Sequence, residues 1–550
     1  MTAYDAAVLA PVASSLDVVL LGVLGAVGVL YLLAHFTKVP YPIWLTVGGA
    51  TLGFVPGIPA VELAPELVLV LFLPPLLTSA AYYSSIRDLR FNARPIALLS
   101  VGLVLLTTVA VAVVAHHVVG MPWQPAFVLG AVLGPTDPVA ATAIAGRVGA
   151  PRRVVTVLEG ESLINDATAL ICFRFALAAV VTGSFSLLDA IGEFAWGIAG
   201  ALGVGLAVGA LTTELLRRLD DAPTEAVLTL LTPYFSYLPA EALGLSAVVA
   251  AVTTGIYHAM RAPRMFTPAT RLQLNALWEL VIFLLNGVLF VLVGLQLPEI
   301  VDALEGYSAG EVAGYASAVV LTVVVVRFAW VFPGTYLPRL LSRRVRERDP
   351  APSWQEPFAI AFTGMRGAVS LAAALSIPQV VEGGGEFPFR DLIIFLAFAT
   401  IVFTVCVEGL TLPALLRALG LGVDEQELRE EDKARLLAAE GALKRIEALR
   451  GQDWVRDDTA DRLSGLYRFR QRRFRARLGK EPLEDDGLPL PREEDVNVRS
   501  RDYQRLLREI LEAQRDALID LRRAGRISDD AMRRIERDLD LEDARLDFER

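Results

Sequence analysis

The stretch GPTDPVAATAI, residues 134–144, places a carboxylate between two prolines inside an apolar run. Pro135 and Pro138 have no backbone N–H, so two carbonyl groups of the preceding turn lack a helical partner. The helix therefore has to open around Thr136 and Asp137. Freed carbonyl oxygens beside a carboxylate suit a small dehydrated cation, because hard cations prefer oxygen ligands. The alternative is a proline kink in which Asp137 bonds to the loosened backbone.

The composition around this stretch is that of a membrane protein. Hydrophobic residues make up 54% of the 550, which excludes a set of ordinary soluble domains. Charged residues form about 12% of residues 1–420 but about 48% of residues 421–550. We therefore predict a transmembrane domain, 1–420, followed by a charged tail, 421–550.

Several classes of partner and cofactor are excluded. The net charge of −10 divides as −6 and −4 between the two parts, so neither has the basic excess that nucleic acid requires. The two cysteines, Cys172 and Cys406, lie in apolar stretches without CxxC or zinc-ligand spacing. Neither GxxxxGK[ST] nor a Rossmann-like GxGxxG fingerprint occurs, so we expect no nucleotide and no cofactor.

The apolar runs have the length of membrane-spanning helices. A bilayer core of about 30 Å takes about 20 residues per helix, and backbone polar groups in lipid must bond within their own segment. The chain contains about thirteen such runs, so we predict an all-α membrane protein. The predicted spans are residues 16–36, 41–57, 63–83, 95–117, 123–146, 153–182, 187–214, 225–239, 243–259, 272–297, 312–338, 355–378 and 391–416.

The loops between the spans alternate in charge. Loops after odd-numbered spans hold eighteen basic residues, whereas loops after even-numbered spans are acidic and hold one basic residue, Arg390. The positive-inside rule then predicts an N-terminus outside and a tail in the cytoplasm. We expect a multi-pass protein of the plasma (inner) membrane. The first span lacks a basic n-region and a small-residue cleavage site, so we expect it to be retained.

The sixth span contains a second polar motif, EGESLINDATAL, residues 159–170. Glu161 and Asn165 are four residues apart. Ser162 and Asp166 have the same spacing, so the polar side chains share one helical face, which has to point into the protein. Helix–helix hydrogen bonding would explain Ser162 and Asn165 equally well. It does not explain a carboxylate, because an ionisable group at membrane depth costs several kcal/mol and marks a functional candidate.

The twelfth span contains a third motif, FTGMRGAVSLAAAL, residues 362–375, in which two glycines bracket Arg366. It lies seven spans after the fifth, and an odd offset reverses the direction of the helix. Two interrupted helices in corresponding positions of inverted halves indicate a transport site near the bilayer midplane. Arg366 needs a buried anion, and we predict a structural ion pair with Glu161. Glu279 and Arg327, also at membrane depth, are expected to be structural.

These motifs resemble those of the monovalent cation/proton antiporter-1 family, the sodium/proton exchangers of the NhaP and NHE type. GPTDP, ESLINDATAL and FTGMRGAVSLA occur in order and in their spans, and FLPPLL, residues 72–77, fits the third span. The resemblance covers roughly residues 16–420. It implies a homodimer of thirteen-helix protomers with inverted repeats. Each protomer would have a dimerisation scaffold and a six-helix core with crossed, unwound fifth and twelfth helices.

The resemblance also implies roles for single residues. The ion-binding and proton-binding residues would be Asp166, Asp137, Ser162, Thr136 and Asn165. Asp166 would be the main carrier of both cation and proton, Asn165 would support Asp137, and Glu161 would pair with Arg366. The Asn165–Asp166 pair is similar to the form associated with electroneutral one-for-one exchange.

One position departs from the family pattern. Many members carry an acidic residue shortly after the LPPLL stretch, where this chain has Thr78 and Ser79. A carboxylate that contributes to the ion site elsewhere is therefore missing. The sequence leaves the choice between Na+, Li+ and K+ open.

A single buried carboxylate binds either a proton or a cation, because both neutralise the same charge. We therefore predict a secondary antiporter that exchanges Na+ or Li+ for H+ by competition at Asp166 in an alternating-access core. K+/H+ exchange by the same mechanism is the first alternative. From other classes, a non-transporting ion sensor and an intramembrane aspartyl protease remain. The protease would need YD and GxGD contexts, which Asp137 and Asp166 lack.

The tail is predicted to be mostly helical, with Leu, Ile and Ala at three-to-four spacing among dense charges. Residues 484–495 are typical of a linker. The basic run 468–480 either contacts anionic lipid or forms a solvated helix face. The resemblance implies a regulatory or dimer-stabilising role for the tail.

Overall fold

A computed structural model shows that the chain is built from α-helices, as predicted. The structure describes residues 21–56, 68–137, 142, 150–181, 187–219, 221–304, 306–381, 385–421 and 425–479, with scattered positions between 505 and 539. Across these residues the β-structure consists of one bridge between Val380 and Glu386. The prediction of an all-α protein is confirmed.

Each predicted span contains a described helix. Six of these segments are long and apolar enough to cross a membrane by length and composition, counted over the described residues. The helices are α1 Leu21–Thr37, α2 Tyr41–Gly53, α3 Val68–Tyr83, α4 Ala93–Val119, α5 Trp123–Val132, α6 Arg152–Val181, α7 Leu187–Leu216, α8 Ala222–Ala242, α9 Ala247–Met265, α10 Pro268–Leu295, α11 Ala309–Leu341, α12a Gln355–Phe362, α12b Ala368–Leu375 and α13 Arg390–Ala418.

Local sequence signals explain several of the helix starts. The side chain of Asp221 accepts the N–H of Thr224 at 3.0 Å and caps α8. Ser308 and Glu311 form a reciprocal capping box at the start of α11. Such residues satisfy backbone N–H groups that the first helical turn leaves without partners.

The helices form two groups. In the scaffold group, α1–α3 and α7–α10, α2 packs on α10, and α9 packs on α3, α7 and α8. In the core group, α4–α6 and α11–α13, α5 packs on α4 and α6, and α11 packs on α4 and α12a. The core group thus contains three consecutive helices and the three that follow seven places later. This is the arrangement predicted for inverted halves.

A polar cluster joins three helix ends of the core group. Asp349, in the loop before α12a, accepts hydrogen bonds from Arg94 of α4 at 3.0 Å and Arg153 of α6 at 2.9 Å. Arg339 of α11 donates to the same carboxylate at 2.6 Å. Burial raises the pKa of Asp349, but the hydrogen bonds and charges of Arg339 and Arg153 outweigh it and hold the pKa below its ordinary value. The ionised carboxylate therefore ties these helix ends together.

The tail forms a unit of its own. The chain divides into residues 1–423 and 424–550. In the second unit, α14 Glu425–Leu449 packs on α15 Asp457–Arg477, and Gln471 donates to Glu440 between them at 3.4 Å. Most of the basic run lies in α15, where Phe474 is buried. The predicted linker 484–495 lies outside the described residues.

Candidate ion-binding site

The helix of the fifth span ends just before its prolines, as predicted. α5 ends at Val132, and residues 133–137 are not helical. Residues 138–141 lie outside the described part, so the described break extends to Asp137. The predicted opening of the fifth helix around Thr136 and Asp137 is confirmed.

The twelfth helix is interrupted between its glycines, and the two breaks meet. α12a ends at Phe362 and α12b begins at Ala368, with a non-helical segment, 363–367, between them. The N–H of Asp137 donates to the carbonyl of Met365 at 2.8 Å. Each break therefore supplies a backbone partner that the other lost, as expected of crossed, unwound helices.

The close approach of the breaks depends on Gly367. A Cβ atom at this position would lie 2.5 Å from the carboxyl carbon of Asp137 and closer still to one of its oxygens. Real Cβ atoms essentially never come within 3.0 Å of another heavy atom. Any larger residue would therefore displace Asp137 or the α12 segment.

We expect Gly367→Ala to lower the exchange rate by about 100-fold, the loss that a shift of about 1 Å in a functional site can cause. The measurement is cation-driven dequenching of a pH dye in proteoliposomes. Gly203→Ala in α7 is the matched control, because its added Cβ would meet no described atom within 4 Å beyond its own helical turn. Equal rates for both variants would mean that the contact with Asp137 is dispensable.

A cavity of about 420 Å3 lies between the scaffold and core groups. Its scaffold wall comes from α2, α3 and α10, and its core wall comes from the α5 break, α6 and α12b. The polar and ionisable residues of its walls are Tyr41, Ser79, Tyr83, Thr136, Asp137, Thr142, Glu159, Ser162, Asp166, Asn286 and Ser370. Four of the five residues predicted to bind ions therefore share one cavity.

Asp166 differs from the other buried charges of the core. It is 6% exposed, and its carboxylate has no hydrogen bond or ion pair with any residue that the structure describes. The carboxylate is close enough to Asp137 for the two charges to interact. An unpaired buried carboxylate is costly unless a proton or a cation neutralises it.

The fifth predicted residue, Asn165, lies behind the cavity wall and is fully buried. Its amide nitrogen donates to the carbonyl oxygen of Thr136 at 3.1 Å and to the Thr136 hydroxyl at 2.9 Å. That hydroxyl donates in turn to Glu161 at 2.9 Å. α6 therefore holds the unwound segment through Thr136, the residue before Asp137.

The predicted ion pair of Glu161 with Arg366 is wrong, because Glu161 pairs with Arg327. Arg327 of α11 donates to both Glu161 oxygens, at 2.6 and 2.9 Å, and its Nε donates to the carbonyl of Ile360 at 3.1 Å. Both side chains of the pair are at most 2% exposed. Arg366 instead donates to the carbonyls of Leu133 and Gly364, which the helix breaks have freed.

Sequence reasoning missed two acidic residues. Glu408 in α13 is 7% exposed and accepts the N–H of Gly364 at 3.0 Å. Glu159 lines the cavity, two turns before Asp166 on α6. The rule that singled out Asp166, a charge inside an apolar span, would also have found Glu408.

Comparison with known proteins identifies the family. The profile of the family described as sodium/hydrogen exchanger, transmembrane, matches residues 23–418. The chain belongs to this family. An uncharacterized Na+/H+ exchanger of Mycobacterium tuberculosis is 36% identical to this exchanger over 533 residues, which cover 96% of both chains.

One further relative adds a named activity, and a solved structure adds a fold. The sodium, potassium, lithium and rubidium/H+ antiporter of Bacillus subtilis is 36% identical over 365 residues, which cover 64% of this exchanger and 54% of that protein. The sodium proton antiporter MjNhaP1 from Methanocaldococcus jannaschii has the same fold. Its TM-score is 0.57 at 21% identity, over 74% of this exchanger and 99% of that chain.

Membership of the family establishes the general activity. The exchanger is a multi-pass membrane protein that moves monovalent cations and protons in opposite directions. Its relatives are transporters, not enzymes. The alternative of an intramembrane aspartyl protease is therefore set aside.

Proposed function

We propose that this exchanger carries Na+ or Li+ against H+ across the plasma membrane, with Asp166 as the shared carrier. The observation that carries the proposal is the contrast between two carboxylates on α6. Glu161 is neutralised by Arg327 at 2.6 Å. Asp166 faces the cavity without such a partner among the described residues. Asp166 is thus the carboxylate for which a proton and a cation compete.

The cation would be held by oxygen atoms around Asp166. Asp137, Ser162 and Thr136 line the same cavity and offer carboxylate, hydroxyl and carbonyl oxygens, the ligands that hard cations prefer. Asn165 contributes indirectly, since its hydrogen bonds to Thr136 hold the unwound segment. Asn165, the residue before Asp166 in the chain, has a neutral amide. This fits exchange of one cation for one proton, because the site then has the same net charge with either ligand.

The cavity supports an inward-facing state. With the predicted topology, Tyr83 and Glu159 lie toward the cytoplasmic ends of α3 and α6, and both line the cavity with Asp166. Rocking of the core group against the scaffold group would then expose the site to the other side. The N-terminus would lie outside. Two protomers would pair, and the cytoplasmic tail, residues 421–550, would regulate or stabilise the dimer.

Potassium is the second candidate cation, and Ser79 is the observation that favours it. Ser79 lines the cavity where many family members have an acidic residue, and its hydroxyl bonds within its own helix to Leu76 at 2.9 Å. One fewer carboxylate weakens the preference for the smaller, more strongly hydrated ion. The Bacillus relative, named for transport of four alkali cations, supports the same possibility.

The test is dequenching of a pH dye in proteoliposomes on addition of Na+, Li+ or K+, with choline as the control cation. We expect Na+ and Li+ to cause dequenching at lower concentrations than K+. We also expect an imposed membrane potential to leave the rate of dequenching unchanged. Stronger dequenching by K+ would assign K+/H+ exchange. Dequenching by none of the three would contradict antiport and favour a non-transporting sensor.

A further inference from the structure

The break in the twelfth helix leaves backbone N–H groups that need partners, and α13 supplies two of them. The N–H of Gly364 donates to Oε2 of Glu408 at 3.0 Å. The N–H of Arg366 donates to the Thr404 hydroxyl oxygen, also at 3.0 Å. The Gly364 N–H also donates to the carbonyl of Phe362 at 3.0 Å. For the Arg366 N–H, the acceptor among the described residues is the Thr404 side chain, so this bond depends on the identity of a residue in another helix.

The two acceptors lie at the ends of a π-helical turn, Thr404–Glu408. A π turn holds one residue more than an α turn and shifts the side chains that follow around the helix axis. Such turns are rare and occur often at functional sites. Here the widened turn lies opposite the interrupted segment and presents an acceptor to two of its amides, those of Gly364 and Arg366.

The carboxylate of Glu408 is costly to bury unless other charges balance it. Its side chain is buried within a membrane helix, where a carboxylate costs several kcal/mol. Its charge interacts with Arg366 and Arg327. With Glu161 the four side chains form a buried set of two acids and two arginines, so the carboxylate is balanced where it lies.

The segment held by α13 is the one that holds Asp137. Met365 lies between the two bonded amides, and its carbonyl accepts the N–H of Asp137 at 2.8 Å. Gly367, the next residue but one, contacts the Asp137 carboxylate. A shift of the segment would therefore move Asp137 in the cavity.

We propose that Thr404 and Glu408 are positioning residues of the ion site, which hold the α12 break so that Asp137 stays in place beside Asp166. Neither side chain lines the cavity, and both act through the backbone of residues 363–367. The effect on ion affinity rests on the proposed function. The effect on the two breaks rests on the hydrogen bonds alone.

The test measures deuterium uptake of the purified full-length chain in detergent, without added cation, in Thr404→Val and Thr404→Ser. Valine keeps the shape but removes the acceptor, whereas serine keeps the hydroxyl. We expect the rate of deuterium uptake in residues 363–367 and 133–137 to rise about 10-fold in the valine variant. The reason is that a buried amide exchanges faster when it loses its hydrogen-bond partner. The serine variant should match the wild type. Thr400→Val is the matched control, because among the described residues that buried hydroxyl bonds only to Leu396, in its own helix.

A second readout is the cation concentration for half-maximal exchange in proteoliposomes. We expect Thr404→Val and Glu408→Leu to raise it about 10-fold, while Thr404→Ser and Glu408→Gln, which keep an oxygen acceptor, stay near the wild type. Unchanged uptake in residues 133–137 of Thr404→Val would overturn the proposal, even if Glu408→Leu fails to fold. Absence of cation-driven exchange in the wild type would refute the proposed function instead, and the uptake result would still decide the positioning role.

Discussion

Replacing Asp166 by Asn is expected to abolish cation-driven proton movement, with a loss of at least about 100-fold relative to the wild type. The amide has nearly the same size as the carboxylate, but it neither binds a proton nor carries a charge for a cation. The fold should persist, because a neutral group in this cavity costs less to bury than an unpaired charge. Dye dequenching in proteoliposomes measures the rate, and the thermal unfolding midpoint in detergent measures the fold.

The matched control for this variant is Asp391→Asn. It makes the same chemical change on a half-exposed side chain at the start of α13, beside Arg390 and away from the cavity. Its rate should equal that of the wild type. Exchange retained in Asp166→Asn would refute the assignment of Asp166, whereas equal losses in both variants would indicate a general effect of lost acidity.

Replacing Arg327 by Met is expected to lower the free energy of unfolding by about 3–5 kcal/mol, the usual cost of breaking a buried ion pair. The reason is that Glu161, at 1% exposure, would lose its hydrogen-bonded ion-pair partner. Glu161 also accepts the hydroxyl of Thr136, so the unwound segment would loosen as well. Denaturant unfolding in detergent measures the change.

Two further variants separate the ion pair from general effects of mutation. Glu161→Gln combined with Arg327→Met should regain much of the lost stability, since neither charge is then left unpaired. Glu347→Gln breaks the exposed pair with Arg343, whose side chains are 61% and 83% exposed, and should change stability by at most about 0.5 kcal/mol. If Arg327→Met had the same free energy of unfolding as the wild type, a net stabilising role for the buried pair would be contradicted.

The parts of the fold that the sequence predicts are those fixed by local chemistry. Apolar length places the helices, and the prolines at 135 and 138 and the glycines at 364 and 367 place both breaks. The spacing of Ser162 and Asp166 brings them to one wall of the cavity, because residues four apart share a helical face.

The parts that the sequence does not predict depend on lateral packing. Arg327 and Arg366 are both buried arginines at membrane depth, and only the packing of α11 decides which one reaches Glu161. The role of Glu408 depends on a π turn, which the regular helical period does not reveal. Contacts between distant helices therefore need the structure, while helix positions and breaks do not.

The central claim is that one carboxylate, Asp166, binds a cation and a proton in turn. The most direct measurement is proton release when Na+ is added to the purified exchanger in weakly buffered detergent solution, followed with a pH indicator over a series of starting pH values. Competition predicts release of up to about one proton per chain in the wild type, and none in Asp166→Asn. Undiminished release from Asp166→Asn, or Na+ binding by the wild type without release at any pH, would contradict the claim.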